Sequence, residues 1–201
     1  MTTELPLAGV ILTAGKSYRM GRPKALLPWK NSTFLESIIT TLHDAEIQPI
    51  VVVVGHHARE IEGQADLAHA EVVMNEQYAD GQLSSIHAAL NHLDTQLLSG
   101  VLMCLVDHPL FSAELVRQMI DTFRNTGSPL VIPSHKKRRG HPVIFSAELF
   151  PELLASPIEK GARPVVKAHT DDIHYVDTDE EGILWDINTP AKYEEALKHF
   201  D

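Results

Sequence analysis

The chain has 201 residues, 44% of them hydrophobic, and a formal net charge of −10. That is enough apolar sequence for one sizeable core, which excludes global disorder and makes a general nucleic-acid surface a poor expectation, since phosphate backbones are held by extended lysine and arginine patches. A single cysteine, Cys104, excludes an intrachain disulfide, and no run approaches the length of a membrane span.

The amino terminus, Met1-Thr2-Thr3-Glu4, lacks the basic and apolar regions of a secretion signal, so a cytoplasmic protein is expected. Leu7–Leu12 reads as a buried strand. The segment that follows, from Leu12 to Lys24, carries Lys16, Arg19, Arg22 and Lys24 and turns on Gly15 and Gly21. The charge is local, because residues 1–30 sum to +4 and the rest of the chain to −14. Gly15, lacking a Cβ, can adopt φ > 0 and turn successive N–H groups toward one anion. Arginine offers a planar fork and lysine a mobile point charge, so Arg19 is expected to position a phosphate and Lys24 to stabilise it. A P-loop is excluded, since Val10 stands where its first glycine belongs, and no G-x-G-x-x-G follows.

Helix-like segments at 33–45, 58–65, 83–92 and 113–124 alternate with strand-like runs at 50–54, 71–74 and 101–106. Such alternation indicates a parallel α/β sheet. Val51-Val52-Val53-Val54 fits a strand covered on both faces, and Gly55 serves either a ligand-side loop or an ordinary turn. Cys104 lies in an apolar run and reads as a buried strand thiol. Asp107 ends that run just before Pro109 and is the first candidate magnesium ligand, the alternative being a cap for the helix starting near Ser112. After Asn125, two short strands, 130–132 and 142–145, flank the basic turn Lys136-Lys137-Arg138-Arg139-Gly140. Final strands at 173–176 and 183–185 and a closing helix at 191–200 complete the chain. Asp186, in Asp186-Ile187-Asn188-Thr189-Pro190, is the second carboxylate, with an Asx-turn as its alternative. His56-His57 lacks partners at metal-ligand spacing, so zinc is not indicated.

LTAGKSYRMGRPKALLPW is similar to the signature loop LAAGxSxRMGxxKxLLP of MobA-like nucleotidyltransferases, and within them most resembles molybdenum cofactor cytidylyltransferases. The resemblance implies a Rossmann-like three-layer α/β/α fold of the nucleotide-diphospho-sugar transferase type, with a mostly parallel sheet and a small acceptor-side β extension. It implies one domain, its nucleotide-binding half at about 1–125 and its acceptor-side half at about 126–201. Leu12, Thr13, Ala14, Gly15, Lys16, Ser17, Arg19, Met20, Gly21 and Lys24 would bind the nucleotide, joined by Asn75, Gly81, Ser84 and Ser85 at the base and ribose. Thr13 stands where the family has alanine, and Asn188 where aspartate is common. Arg139, Gly140, His141, Pro142, Gly161 and Arg163 would hold the acceptor, although from local sequence alone His141 and Gly140 read equally as turn residues. Asp107 and Asp186 would bind Mg2+, with Lys24, Arg19 and Asp107 catalytic.

The expected reaction is transfer of CMP from CTP, or of a nucleotidyl group from another NTP, to molybdopterin with release of pyrophosphate. No nucleic acid or membrane is expected as partner, whereas a molybdoenzyme or maturation chaperone is. Transfer to another phosphorylated small molecule and a non-catalytic cofactor carrier are the competing functions.

Overall fold

The computed structural model describes residues 5–200. Ten strands occur in chain order: β1 Leu7–Leu12, β2 Pro28–Trp29, β3 Ser32–Thr33, β4 Ile50–Val54, β5 Glu71–Met74, β6 Gly100–Leu105, β7 Leu130–His135, β8 Arg138–Arg139, β9 Val143–Ser146 and β10 Ile173–Asp177. The helices are α1 Phe34–Asp44, α2 Ala58–Gln64, α3 Gln82–His92, α4 Ala113–Thr126, α5 Phe150–Ala155, α6 Arg163–Ala168 and α7 Pro190–Phe200. Met1–Glu4, read above for a secretion signal, lie outside the described residues. Among the described residues no helix is long and apolar enough to cross a membrane.

The main sheet runs β10-β7-β9-β6-β1-β4-β5, with β8 paired to β7. β1 is parallel to both β4 and β6, and β4 to β5. The expected β extension merges with this sheet, because β9 inserts antiparallel between β6 and β7 and only the short β8 projects.

Period-two alternation divides the core into two layers. Ile11, Val52, Val54, Leu102 and Cys104 pack with Leu35 and Ile38 of α1 and Leu115 and Met119 of α4. Their neighbours Val10, Leu12, Val51, Val53, Val101 and Met103 pack on the other face with Leu83 and Ile86 of α3 and Leu153 of α5. Both faces are therefore covered, which is why these strands read as continuous apolar runs. Burial raises the Cys104 thiol far above its ordinary range, as suits a structural rather than nucleophilic cysteine.

From β1 the chain winds outward to β4 and β5, then returns to β6 on the other side of β1. The loops leaving β1 and β6 diverge there, opening a crevice at the carboxyl ends of the strands. The glycine loop follows β1, and Asp107 follows β6.

One expected strand is corrected. Residues 183–185 form no strand; Glu181–Leu184 form a 3-10 turn that buries Gly182 and Ile183. A Cβ on Gly182 would stand 2.4 Å from the Leu110 carbonyl oxygen, so close packing against that loop, rather than strand pairing, shapes the segment.

Candidate active site

The loop after β1 begins buried and ends exposed. Thr13 donates both its N–H and its hydroxyl to the Val53 carbonyl, at 2.9 and 3.0 Å, so the hydroxyl is engaged by the scaffold. The left-handed backbone expected at Gly15 lies instead at Ser17 (φ 49°) and Gly21 (φ 73°). Gly15 contributes differently: the direction a Cβ would take is open, with no atom within 4 Å. Among the described residues, the main-chain N–H groups of Gly15, Lys16, Ser17, Tyr18 and Arg19 have no protein acceptor. Consecutive unpaired donors are the requirement for holding a polyanion.

A cavity of about 240 Å³ lies beneath this loop, lined by Gly15, Ser17, Lys24, Tyr78, Ser85 and Asp107 among others. Leu12, Thr13, Ala14 and Gly81 also line it. Arg19 and Gly21 are exposed and Met20 is buried, and none of these three reaches the lining. The Lys16 ammonium sits over the rings of Tyr18 and Tyr78, 5.6 and 5.9 Å from their centroids.

Asn75 and Ser84 form a buried brace. The Asn75 amide donates to Ser84 Oγ at 2.8 Å and Ser85 Oγ at 3.0 Å, and its carbonyl accepts from the Gln77 N–H at 2.9 Å. Ser84 in turn donates to the Gly81 carbonyl at 2.8 Å. Neither lines the cavity; they shape the turn that presents Gly81 and Ser85 to it. Gly81 has φ 116° and ψ −178°, a conformation essentially restricted to glycine.

A second cavity, of about 630 Å³, is lined by Arg139, Gly140, His141, Arg163, His108 and Asp186 among others. It shares Gln82, Leu105 and Asp107 with the first. Pro142 and Gly161 stand behind this lining: Pro142 is buried, and a Cβ on Gly161 would lie 3.8 Å from Gln82 Oε1.

At the junction, Lys24 Nζ donates to Asp107 Oδ2 at 2.8 Å and also to Asn188 Oδ1. The Asn188 amide donates to Asp186 Oδ1. The Asp107 carbonyl accepts from the Ile187 N–H at 2.9 Å, tying the carboxyl-terminal segment to the end of β6. Helix α4 is capped by Ser112, whose hydroxyl accepts from the Leu115 N–H, so Asp107 is free of that alternative duty.

Asp107, His108 and Asp186 each bring one potential ligand atom within 4.8 Å of the others. Two carboxylates suit magnesium or manganese, and an added imidazole moves the set toward a transition metal. His108 was not singled out from sequence, and its only signal there is its place between Asp107 and Pro109. The only signal for Gln82 is its place between Gly81 and Ser84, and Tyr78 gave none.

The Nδ1 atoms of His108 and His141 are buried without a hydrogen-bond partner, and the two rings lie 4.6 Å apart. Burial first, then His108, pulls the His141 imidazole down to about 4, against the opposing pull of Asp107. An unfolded histidine titrates near ~6.5, so in between the unfolded chain holds a proton that the folded chain rejects. Stability from this residue is complete above that unfolded value and is lost as pH falls toward the folded one, by up to ~3 kcal/mol. We expect the urea midpoint of the metal-free protein to drop between about pH 7 and about pH 4.5, and His141→Gln to flatten that slope. An unchanged slope would remove His141 from the account.

A family model described as the MobA-like NTP transferase domain matches residues 9–173. The chain belongs to the MobA-like NTP transferase family. Among its curated relatives is nicotine blue oxidoreductase of Paenarthrobacter nicotinovorans, 30% identical over 93% of this chain and 95% of that one. The molybdenum cofactor cytidylyltransferase of Escherichia coli is 27% identical over 95% of each chain. A probable molybdenum cofactor guanylyltransferase of Bacillus cytotoxicus is 29% identical over 95% and 96%. A crystal structure of Rv0371c from Mycobacterium tuberculosis superposes with a TM-score of 0.85 at 26% identity, covering 98% of this chain and 100% of that one. A manganese complex of Rv0371c superposes with a TM-score of 0.82 at 25% identity, over 96% and 99%. The MobA-like match ends at residue 173, before Asp186 and Asn188, so these two enter the site through the geometry described above.

Proposed function

We propose that this chain transfers a nucleotidyl group from a nucleoside triphosphate, CTP first, to the phosphate of a molybdopterin-type acceptor. The observation that carries the reading is the meeting of two cavities at Asp107, one beneath an amide-rich basic loop and the other edged by Arg139, His141 and Arg163. Relatives named as molybdenum cofactor cytidylyl- and guanylyltransferases support the substrate class.

In this reading the triphosphate lies under Gly15 to Arg19 and the acceptor phosphate beside Arg139 and Arg163. An acceptor phosphate oxygen attacks the α-phosphorus, the bond from that phosphorus to the bridging oxygen breaks, and pyrophosphate leaves. Lys24 offsets charge on the phosphates, and no protein nucleophile is required, because such transfers depend on alignment and electrostatic stabilisation. A divalent cation held by Asp107 and Asp186, with His108 beside them, would supply further charge neutralisation; magnesium is the expected ion, and the Rv0371c manganese complex supports a divalent one. The division near residue 125 into nucleotide and acceptor halves belongs to the same reading. The first cavity is lined wholly from residues before that point, whereas the second draws on both sides.

Pyrophosphate release tests the reading, with CTP, GTP, ATP and UTP each offered with molybdopterin and with other phosphorylated acceptors. Release with CTP and molybdopterin is expected to exceed the other pairs. Binding of both substrates without release would indicate a carrier. The relationship to nicotine blue oxidoreductase favours a second reading, redox chemistry in the same cavity. Redox turnover without pyrophosphate release would select it.

A further inference from the structure

We infer that Lys24 is the built-in counter-cation of this site and Asn188 its positioning residue, so that a divalent cation and the Lys24 ammonium exclude each other beside Asp107. The inference rests on the nucleotidyl-transfer reading of the same residues.

Four side chains form one continuous chain across the junction: Asp107, Lys24, Asn188 and Asp186. Lys24 and Asp107 are mostly shielded, their side chains 15% and 22% exposed. At such a position an ammonium neutralises the carboxylate more effectively than solvent does. A doubly charged ion arriving on Asp107 meets both the occupied oxygen and a like charge at contact distance. The ammonium therefore has to move, and Lys24 lines the nucleotide cavity but not the acceptor cavity. Its available destination is the region beneath the unpaired amides of Gly15 to Arg19, where phosphates would lie. Cation exchange at Asp107 thus couples metal binding to delivery of Lys24 onto the nucleotide.

Asn188 suits this exchange because it uses both ends of an amide, its oxygen accepting from Lys24 and its nitrogen donating to Asp186. An aspartate there would hold the ammonium more tightly, offer Asp186 no donor and place two like charges together. The amide orients Asp186 while leaving Lys24 releasable.

The test is Mn2+ titration of the nucleotide-free protein, with free ion followed by electron paramagnetic resonance. Lys24→Met is expected to bind Mn2+ at least tenfold more tightly than the unaltered chain, and Lys24→Gln to do the same should methionine lower the melting temperature. Equal or weaker binding by both overturns the exchange, and pyrophosphate release by the unaltered chain would show that the transfer reading survives that failure. In the Lys24→Met background, Asn188→Ala is expected to weaken Mn2+ binding several-fold, and unchanged affinity overturns its positioning role. Absence of Mn2+ binding in every variant overturns the inference and the metal-site reading together.

Discussion

Asp107→Asn is expected to lower pyrophosphate release by about a thousandfold while leaving the fold intact, a transition-state loss of ~4 kcal/mol. Asp107 lines both cavities, follows the strand beside the topological switch point and brings a potential ligand atom within 4.8 Å of those of His108 and Asp186. No other carboxylate in the described residues combines these placements. The substitution removes one negative charge but preserves volume and leaves an oxygen to accept from Lys24. The Asp107 carbonyl still anchors Ile187, because that bond uses the main chain. Stability should therefore change by only ~1 kcal/mol, or about 2–4 °C in melting temperature for a chain of this size. Turnover against metal concentration, together with a thermal melt, checks both parts. Turnover within tenfold of the unaltered chain would remove Asp107 from the chemistry.

Gly140→Ala is the second large effect, and its target is the acceptor side. A Cβ at Gly140 would lie 2.6 Å from Cγ1 and 2.7 Å from Cβ of Ile183, which is itself buried. The backbone on both sides is braced, by Gly140 N–H to the Pro133 carbonyl at 2.9 Å and His141 N–H to the Ile183 carbonyl at 3.1 Å. The added methyl has no direction in which to relax without separating the Arg139–His141 segment from the turn that precedes Asp186. Overpacking of this kind costs ~1–3 kcal/mol. Because Arg139, His141 and Asp186 line the same cavity, acceptor-dependent turnover should fall by roughly tenfold to a hundredfold. The Michaelis constant for nucleotide should change little, since neither Gly140 nor Ile183 lines the first cavity. Equal loss of nucleotide affinity would contradict this division of the site.

The strands Leu7–Leu12, Ile50–Val54 and Gly100–Leu105 were legible because burial on both faces leaves an apolar run that needs no tertiary information to recognise. Gly15 and Asp107 were legible for a related reason: a glycine or an acid just past the end of such a run is placed at the ligand edge by chain direction alone. Residues 183–185 were misread as strand because a short apolar segment carries no sign of whether a partner strand or a packed loop awaits it. Asn75 and Ser84 were read toward the nucleotide, whereas their polar atoms meet each other across the turn before α3. Local residue type cannot reveal which of two polar partners, ligand or scaffold, a side chain will find.

The sequence by itself determined an α/β chain with a basic, glycine-bearing loop after its first strand and an acid after its central one, because periodicity and chain direction are local properties. Tertiary structure alone decided that Lys24, Asp107, Asn188 and Asp186 form one connected group and that His108 joins the two carboxylates. Those residues come from segments up to 164 positions apart, and their contacts depend on the parallel crossovers that carry β6 and the carboxyl-terminal segment back beside β1. Distance along the chain contains no record of that return.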